Sequence, residues 1–283
     1  MATFFNQATL SYSGGTVNSN IATGEIVEVL SATKTAIVDN YTTGSDVSYI
    51  VNIINSGDSA FTGLTVTDDL GQYTVGTTTL QPFDYVDGSV KYFINGVLQP
   101  DPIVTAGPPL AISGITVPAN SQVSILYTAT ANSFAPPISG GTVTNTVTVN
   151  GGGITPIIAT ETVTAQNAPN LTITKTASPT TVTENGRLTY TFVIQNTGNT
   201  EATATDNIVI TDTFNPILTD LVVTYNGATW TEPTNYTYNE TTGLFSTVAG
   251  NITVPAATYT QDPVTGVYTI DPGVATITVT GTV

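Results

Sequence analysis

Residues 4–12 read FFNQATLSY, a run in which apolar and polar side chains alternate over much of the length. Such alternation is typical of a β-strand. The most similar run within the chain is VTNTVTVN at residues 143–150. Each run is followed by a glycine-rich turn and then by an Ile-Ala-Thr segment: residues 13–15 and 21–23 after the first, 151–153 and 158–160 after the second. We therefore predict that the N-terminus forms a hairpin like the last hairpin of a domain.

The chain also contains an internal repeat. Lys34 recurs as Lys175 and Asn55 recurs as Asn196, with the same interval between the members of each pair. Equal spacing of this kind marks a true repeat. The matched segments are 34–36 with 175–177, 49–57 with 190–198, 64–68 with 208–212, and 123–128 with 275–280. The first copy continues into the hairpin at residues 143–160, whereas the second copy reaches the end of the chain without one.

This arrangement predicts that the second copy lacks its final hairpin while the N-terminus carries a spare one. A sheet that lacks a strand exposes unpaired N–H and C=O groups and accepts a strand from another chain. We predict head-to-tail polymerisation, in which residues 1–28 of one subunit complete the second domain of the next. Because donor and acceptor lie at opposite ends of the chain, the contact is heterologous and generates a fibre. Two alternatives are that the hairpin folds back onto its own second domain, or that it pairs with the first domain as an extra edge strand.

Composition narrows the functional classes. Charged residues make up 8% of the 283, with four Lys and Arg against twenty Asp and Glu and a formal charge of −16. Nucleic acids and anionic membranes are disfavoured as partners because they require clustered positive charge. The chain has no Cys and no His, so we expect no thiol chemistry, no ordinary enzyme and no cofactor. Neighbouring aspartates such as Asp68-Asp69 lack the twelve-residue calcium-loop pattern, so no metal site is predicted.

The same composition favours β-structure, because Thr, Val and Ile are plentiful. Short alternating runs are separated by turn signals such as Asn95-Gly96 and Asn226-Gly227, a spacing that suits immunoglobulin-like sandwiches. We predict an all-β protein with two immunoglobulin-like β-sandwich domains in tandem. The predicted boundaries are 1–28 for the donor hairpin, 29–168 for the first domain, and 169–283 for a second domain that lacks its last strands. No apolar run reaches membrane-spanning length, and the N-terminus shows no secretory signal.

Alternation also predicts which polar side chains point into the core, because successive strand residues face opposite sides of a sheet. In the first domain these are Lys34, Asp68 and Asn145. In the second domain they are Lys175 and Asp212, with no counterpart of Asn145 after them. The donor-strand face predicted to enter the next subunit consists of Phe4, Asn6, Ala8, Leu10 and Tyr12.

Burial of a lysine, an aspartate and an asparagine together permits a reaction. Desolvation lowers the pKa of a lysine, and a neutral amine is a nucleophile. Such an amine can attack an asparagine side-chain carbonyl while an aspartate carries the protons. Ammonia leaves, and an isopeptide bond remains. We predict this bond between Lys34 and Asn145, with Asp68 assisting.

Between subunits, Asn6 fills the position that the second repeat lacks. We predict that Lys175 of one subunit bonds to Asn6 of its neighbour, with Asp212 assisting, so that the polymer is chemically continuous. One alternative is a buried Lys–Asp ion pair, hydrogen-bonded to Asn, that does not react. Another is that each lysine extends from a strand end to solvent while the Asp closes a turn.

Three segments resemble the repeat domain of unknown function number eleven: LTITKTASP at 171–179, YTFVIQNTG at 190–198 and ITDT at 210–213. The first copy matches more loosely, at 34–36, 55–57, 66–68 and 144–146. The resemblance implies tandem immunoglobulin-like domains of bacterial surface proteins. Isopeptide bonds in related Gram-positive adhesin and pilin domains support the roles of Lys34, Asp68 and Asn145. The two-domain layout also resembles the major appendage proteins on spores of anaerobic Gram-positive bacteria.

These patterns predict a structural subunit of an extracellular or spore-surface fibre, with further copies of the same chain as its partners. Release by lysis of a mother cell would account for a fibre protein without a recognisable signal peptide. The alternative is an adhesin-type binding module from a tandem-domain bacterial surface protein.

Overall fold

A computed structural model describes residues 2–26 and 29–283, and these residues form an all-β protein. In the described part of the chain the single helical element is a 3-10 turn over Ala204–Asp206. The predicted fold class is therefore confirmed. Of the predicted boundaries, the one at residue 28 falls on Val27 and Glu28, which lie outside the described residues.

The N-terminal segment forms a hairpin, as its sequence predicts. Its strands are β1 (Ala2–Asn6), β2 (Thr9–Tyr12), β3 (Gly15–Asn18) and β4 (Ala22–Ile26). Strand β1 pairs with β4, and β2 pairs with β3, in antiparallel register. None of the four pairs with another part of the described chain, so neither fold-back onto the second domain nor edge pairing with the first is observed. Phe4, Leu10 and Tyr12 are exposed.

The chain then forms a first sandwich of two six-stranded sheets. Its strands are β5 (Leu30–Ala36), β6 (Asn40–Tyr41), β7 (Asp46–Asn55), β8 (Phe61–Asp68), β9 (Tyr73–Val75), β10 (Thr78–Leu80), β11 (Phe83–Tyr85), β12 (Lys91–Ile94), β13 (Val97–Leu98), β14 (Ile103–Thr105), β15 (Leu110–Val117), β16 (Ser121–Ala131), β17 (Thr142–Gly151) and β18 (Ile157–Ala165). One sheet has the order β13-β12-β16-β7-β5, with β11 also pairing with β16. The other has the order β14-β15-β8-β17-β18-β6, and β9 pairs separately with β10.

A second set of sheets follows. Its strands are β19 (Leu171–Ser178), β20 (Arg187–Asn196), β21 (Thr211–Thr213), β22 (Thr219–Tyr225), β23 (Ala228–Trp230), β24 (Tyr236–Asn239), β25 (Leu244–Thr247), β26 (Thr258–Gln261), β27 (Tyr268–Asp271) and β28 (Gly273–Thr282). One sheet has the order β19-β20-β28-β22-β23, a smaller one has the order β21-β25-β24, and β26 pairs with β27. Each sandwich encloses its own hydrophobic cluster, and the two clusters share no residue.

The internal repeat is visible at the atomic level in two buried asparagines. Asn55 Nδ2 donates to the carbonyl oxygens of Ser59 and Pro118, each at 2.8 Å, and its Oδ1 accepts from the Gly57 backbone at 2.9 Å. Asn196 makes the equivalent bonds to Thr200 at 2.7 Å, Pro255 at 3.0 Å and Gly198 at 2.9 Å. Buried polar groups require such partners, so both copies close the same corner of a sandwich in the same way.

The second sandwich differs from the first at the corner beyond Pro255. A short turn separates Pro118 from β16 in the first sandwich, whereas the β26–β27 hairpin separates Pro255 from β28 in the second. This hairpin reaches the first sandwich, where Gln261 Nε2 donates to the Tyr73 hydroxyl at 2.9 Å. The two sandwiches are therefore joined by more than the connection between β18 and β19.

Candidate functional site

The first candidate site lies inside the first sandwich. Lys34 on β5 and Asp68 at the end of β8 face each other across the core, with 2.6 Å between Nζ and Oδ2. Their side chains are 0% and 2% exposed. The Asp68 carboxylate is fixed further, because its Oδ1 accepts a hydrogen bond from the Leu70 backbone at 2.9 Å. The alternation of the sequence thus predicts the direction of both side chains correctly.

Asn145 on β17 completes this cluster through a residue that the sequence analysis did not single out. The Tyr127 hydroxyl on β16 donates to Asp68 Oδ2 and accepts a hydrogen bond from Asn145 Nδ2 at 3.2 Å. Asn145 Oδ1 is buried and has no partner among the described residues.

Burial changes the acid–base behaviour of this site. It lowers the pKa of Lys34 below the usual 10.5, although the Asp68 carboxylate acts in the opposite direction. It also raises the pKa of Tyr127 well above 10.0, and the Asp68 charge adds to that effect. Lys34 Nζ lies 4.7 Å from the centroid of the Tyr49 ring. A lysine with a lowered pKa is more readily deprotonated to the nucleophilic amine.

The second candidate site contains an equivalent Lys–Asp ion pair, but this pair is not buried. Lys175 on β19 pairs with Asp212 on β21, and its Nζ lies 4.2 Å from the centroid of the Tyr190 ring. The Lys175 and Asp212 side chains are 38% and 18% exposed. Lys175 points toward core aromatic rings, as the alternation predicts, but its side chain is not buried, because no strand of the described chain covers it.

The difference in burial follows from the neighbouring strands. In the first sandwich β8 pairs with both β15 and β17, and β18 lies against β5. Among the described residues of the second sandwich, β21 pairs with β25 alone and β19 pairs with β20 alone. Every residue of β19 after Leu171 is exposed. The repeat segment at 208–212, which corresponds to the end of β8, forms a strand only from Thr211, in β21.

Asn6 lies on the N-terminal hairpin, opposite Ala22 in the register of β1 and β4. It is exposed, and no hydrogen bond joins it to Lys175 within the described chain. The donor-face residues Phe4, Ala8, Leu10 and Tyr12 are likewise exposed. One chain therefore brings together Lys34, Asp68 and Asn145, and separately Lys175 and Asp212, but it leaves Asn6 apart from both sites.

Tyr127 could have been noticed from the repeat. In the first sandwich it lies opposite Tyr49 in the register of β7 and β16, and in the second sandwich Val279 lies opposite Tyr190 in the register of β20 and β28. Tyr49 and Tyr190 are repeat equivalents, so Tyr127 corresponds to Val279. A core position that changes from valine to tyrosine adds a hydroxyl that must find a partner when buried.

Three other features of the described residues concern metal binding, membrane crossing and clefts. Within residues 2–26 and 29–283, no group of three or more Asp or Glu side chains is arranged to hold a metal ion. In that same part of the chain, no helix has the length and apolar character needed to cross a membrane. A cleft of about 560 Å³ lies between the two sandwiches, and the Tyr41, Tyr259 and Tyr268 side chains contribute to its wall.

No protein-family model matches the chain, and no curated protein sequence matches it. The resemblance to the domain of unknown function and to spore appendage proteins therefore stays a prediction. Solved structures with related strand arrangements include the major pilin subunit of Bacillus cereus, at 12% identity over 96% of this chain and 73% of that one, with a TM-score of 0.37.

Two further similar structures come from streptococci. A C-terminal fragment of the major pilin of Streptococcus agalactiae is 13% identical over 56% of this chain and 67% of that one, with a TM-score of 0.37. The pilus backbone of Streptococcus pneumoniae is 11% identical over 86% of this chain and 55% of that one, with a TM-score of 0.35. Likenesses this low assign neither a family nor a function.

Proposed function

We propose that this protein is the subunit of a fibre that grows by donation of the N-terminal hairpin into the second sandwich of the next copy. The observation that carries the proposal is the contrast between two equivalent strands. Strand β5 is covered by β18 and buries Lys34, whereas β19 has no such cover among residues 2–26 and 29–283 and exposes Lys175. Uncovered core residues and unpaired backbone groups favour the addition of a strand.

The N-terminal hairpin has the properties of the missing cover. Like β17 and β18, it is an antiparallel hairpin with a glycine-containing turn, and its strands have no other partner in the described chain. Its apolar side chains Phe4, Leu10 and Tyr12 are exposed. Seated beside β21 and β19, it would cover Lys175 and place Asn6 where Asn145 lies in the first sandwich. The proposed units are the hairpin at 1–28 and domains at 29–168 and 169–283.

The proposed chemistry is self-catalysed and occurs once at each site. Within a subunit, the Lys34 amine attacks Asn145, with Asp68 as the proton carrier. Between subunits, the Lys175 amine attacks Asn6 of the neighbouring copy, with Asp212 in the same role. Each reaction forms one amide and releases one ammonia, and neither requires a cofactor. The finished fibre is a covalent homopolymer, which we place outside the cell or on a spore surface.

Denaturing electrophoresis of boiled protein tests the polymer directly. We expect a ladder of covalent multimers whose crosslinked peptides join Lys175 to Asn6 and are lighter by one ammonia. Asn6→Ala should remove the ladder while leaving the bond between Lys34 and Asn145 intact. Asn20→Ala, an exposed position in the same hairpin, serves as the matched control and should retain the ladder.

The results separate assembly from crosslinking. Monomers at the full unreacted mass would exclude the isopeptide chemistry at both sites. If native fibres were still visible by electron microscopy in that case, strand donation without a covalent bond would remain. Monomers together with an absence of fibres, at concentrations where the hairpin is intact, would contradict the proposed function as a whole.

A further inference from the structure

The hydrogen bonds of the first site form one continuous chain from the nucleophile to the leaving group. Lys34 Nζ lies 2.6 Å from Asp68 Oδ2, the Tyr127 hydroxyl donates to that same oxygen, and Asn145 Nδ2 donates to the Tyr127 hydroxyl at 3.2 Å. All four side chains are buried. Asp68 therefore touches the amine that loses protons, while Tyr127 touches the nitrogen that must gain one.

We propose that Tyr127 is a catalytic residue of the intramolecular reaction and relays a proton from Asp68 to the departing nitrogen of Asn145. The inference rests on the proposed bond between Lys34 and Asn145. Without Tyr127, Asp68 would have to reach the departing nitrogen itself. Tyr127 is the described side chain that hydrogen-bonds both to Asp68 and to Asn145 Nδ2.

All protons in the proposed formation of the isopeptide bond are accounted for. A proton first passes from the Lys34 ammonium to the Asp68 carboxylate, which leaves a neutral amine. The amine nitrogen attacks Asn145 Cγ, and a C–N bond forms. Asp68 gives its proton to the Tyr127 oxygen as the tyrosine proton passes to Nδ2, and Asp68 then takes the second amine proton. The bond from Cγ to Nδ2 breaks, ammonia leaves, and Asp68 ends protonated while Tyr127 is unchanged.

The second sandwich supplies a comparison within the same molecule. The position of Tyr127 is occupied there by Val279, which has no hydroxyl. Asp212 must therefore serve both Lys175 and the incoming Asn6 without a relay from the acceptor domain. The two sites share the lysine and the aspartate but differ in this one group, so a change at Tyr127 should affect the internal bond alone.

Cell-free synthesis followed by timed mass spectrometry tests the relay on the full chain. The loss of ammonia from the peptides containing Lys34 and Asn145 is followed after synthesis stops, and the bond between Lys175 and Asn6 is followed in the same samples. Tyr127→Phe keeps the ring and removes the hydroxyl. We expect it to slow the internal bond by about a hundredfold or more, as loss of a general acid–base group does, and to leave the intersubunit bond unchanged.

Tyr49→Phe is the matched control. The Tyr49 ring stacks on Tyr127 with 5.4 Å between centroids, and its buried hydroxyl lies near Asn145 but makes no hydrogen bond to Asp68, so it cannot pass on a proton from that carboxyl group. It should form the internal bond at the normal rate. Equal slowing in Tyr49→Phe and Tyr127→Phe would overturn the relay, as would a normal rate in Tyr127→Phe. Absence of both bonds in the unchanged protein would instead contradict the proposed function.

A second variant covers the case in which Tyr127→Phe does not fold. Replacement of Tyr127 by 3-fluorotyrosine keeps the hydroxyl and the shape of the ring but makes the phenol more acidic. A proton relay predicts that the pH profile of the internal bond shifts, whereas the profile of the intersubunit bond stays fixed. A purely structural hydroxyl would leave both profiles unchanged, and that result would also overturn the proposal.

Discussion

Lys34 and Lys175 occupy equivalent positions in two copies of one motif, yet their surroundings differ. Lys34 is enclosed, so the loss of hydration dominates and lowers its pKa despite the adjacent Asp68. Lys175 has the same partner type and a similar aromatic neighbour, but it is 38% exposed. Since burial is the main cause of the pKa shift, cover over the lysine is what prepares it to act as a nucleophile.

The lowered pKa of Lys34 predicts a pH dependence of stability when the bond cannot form. In Asn145→Ala, the unfolded chain binds more protons than the folded one between the lowered pKa of Lys34 and its unfolded value of 10.5. The free energy of unfolding should therefore rise with pH in that window, by at most about 1.4 kcal/mol per pH unit for one proton. Urea denaturation from about pH 7 to about pH 9 measures it.

The control for this experiment carries Lys34→Met and Asp68→Asn in addition to Asn145→Ala, so that no group of the pair titrates. Its stability should change less with pH. The comparison stays below pH 10.0, because the raised pKa of buried Tyr127 acts in the opposite direction above that value. Identical pH dependence in the two proteins would show that Lys34 titrates normally in the folded state.

At the level of elements, the chain has a hairpin whose strands have no partner elsewhere in the described residues, and it also has a strand, β19, that no hairpin covers. Strands β1 to β4 expose large apolar side chains, including Phe4, Phe5 and Leu10, and β19 exposes Ile173. An isolated two-stranded hairpin is marginally stable in water. Insertion beside β21 and β19 would give it a third strand and a hydrophobic face to cover, so the same contact stabilises both elements.

The two faces of the donor strand should respond differently to a charge. Leu10→Asp places a carboxylate on the face proposed to enter the next subunit and removes an apolar contribution of about 1.5–3 kcal/mol. We expect end-to-end association to weaken by at least about tenfold, since about 1.4 kcal/mol corresponds to that factor. Ser11→Asp, on the opposite face, should assemble normally. Sedimentation velocity at matched concentrations compares the two, and equal effects would contradict the proposed seating of the hairpin.

At the scale of the whole molecule, assembly must bring together subunits of the same strong negative charge. The formal charge is −16, with four positive side chains in 283 residues. Repulsion of this kind keeps subunits apart in dilute salt and is screened as ionic strength rises. The two sandwiches of one chain do not have to overcome this repulsion to meet, because they belong to the same chain. The β26–β27 hairpin also joins them through the hydrogen bond between Gln261 and Tyr73.

Fibre growth should therefore accelerate with salt. Between about 0.01 M and about 0.15 M NaCl the screening length falls from about 30 Å to about 8 Å, so approaching subunits repel each other less. The rate at which the covalent ladder lengthens measures the effect, and the internal bond between Lys34 and Asn145 is the control that should not respond. A growth rate that falls with salt would indicate attraction between opposite charges at the junction instead.

The all-β class, the repeat and the inward direction of Lys34, Asp68 and Asn145 could be predicted from the sequence alone. These properties are local: the two-residue period of a strand assigns each side chain to a face wherever the strand lies. The turn signals Asn95-Gly96 and Asn226-Gly227 are also local, and both pairs adopt positive φ in the structure.

Which of the inward side chains contact each other depends on the packing of the two sheets and could not be predicted from the alternation. Tyr127 reaches Asp68 and Asn145 because two sheets pack face to face and β16 pairs with β7 in one register. Contacts of that kind join positions far apart in the chain, and alternation carries no information about them. The exposure of Lys175 is decided in the same way, since it depends on whether a strand lies beside β19 and not on any residue within β19 itself.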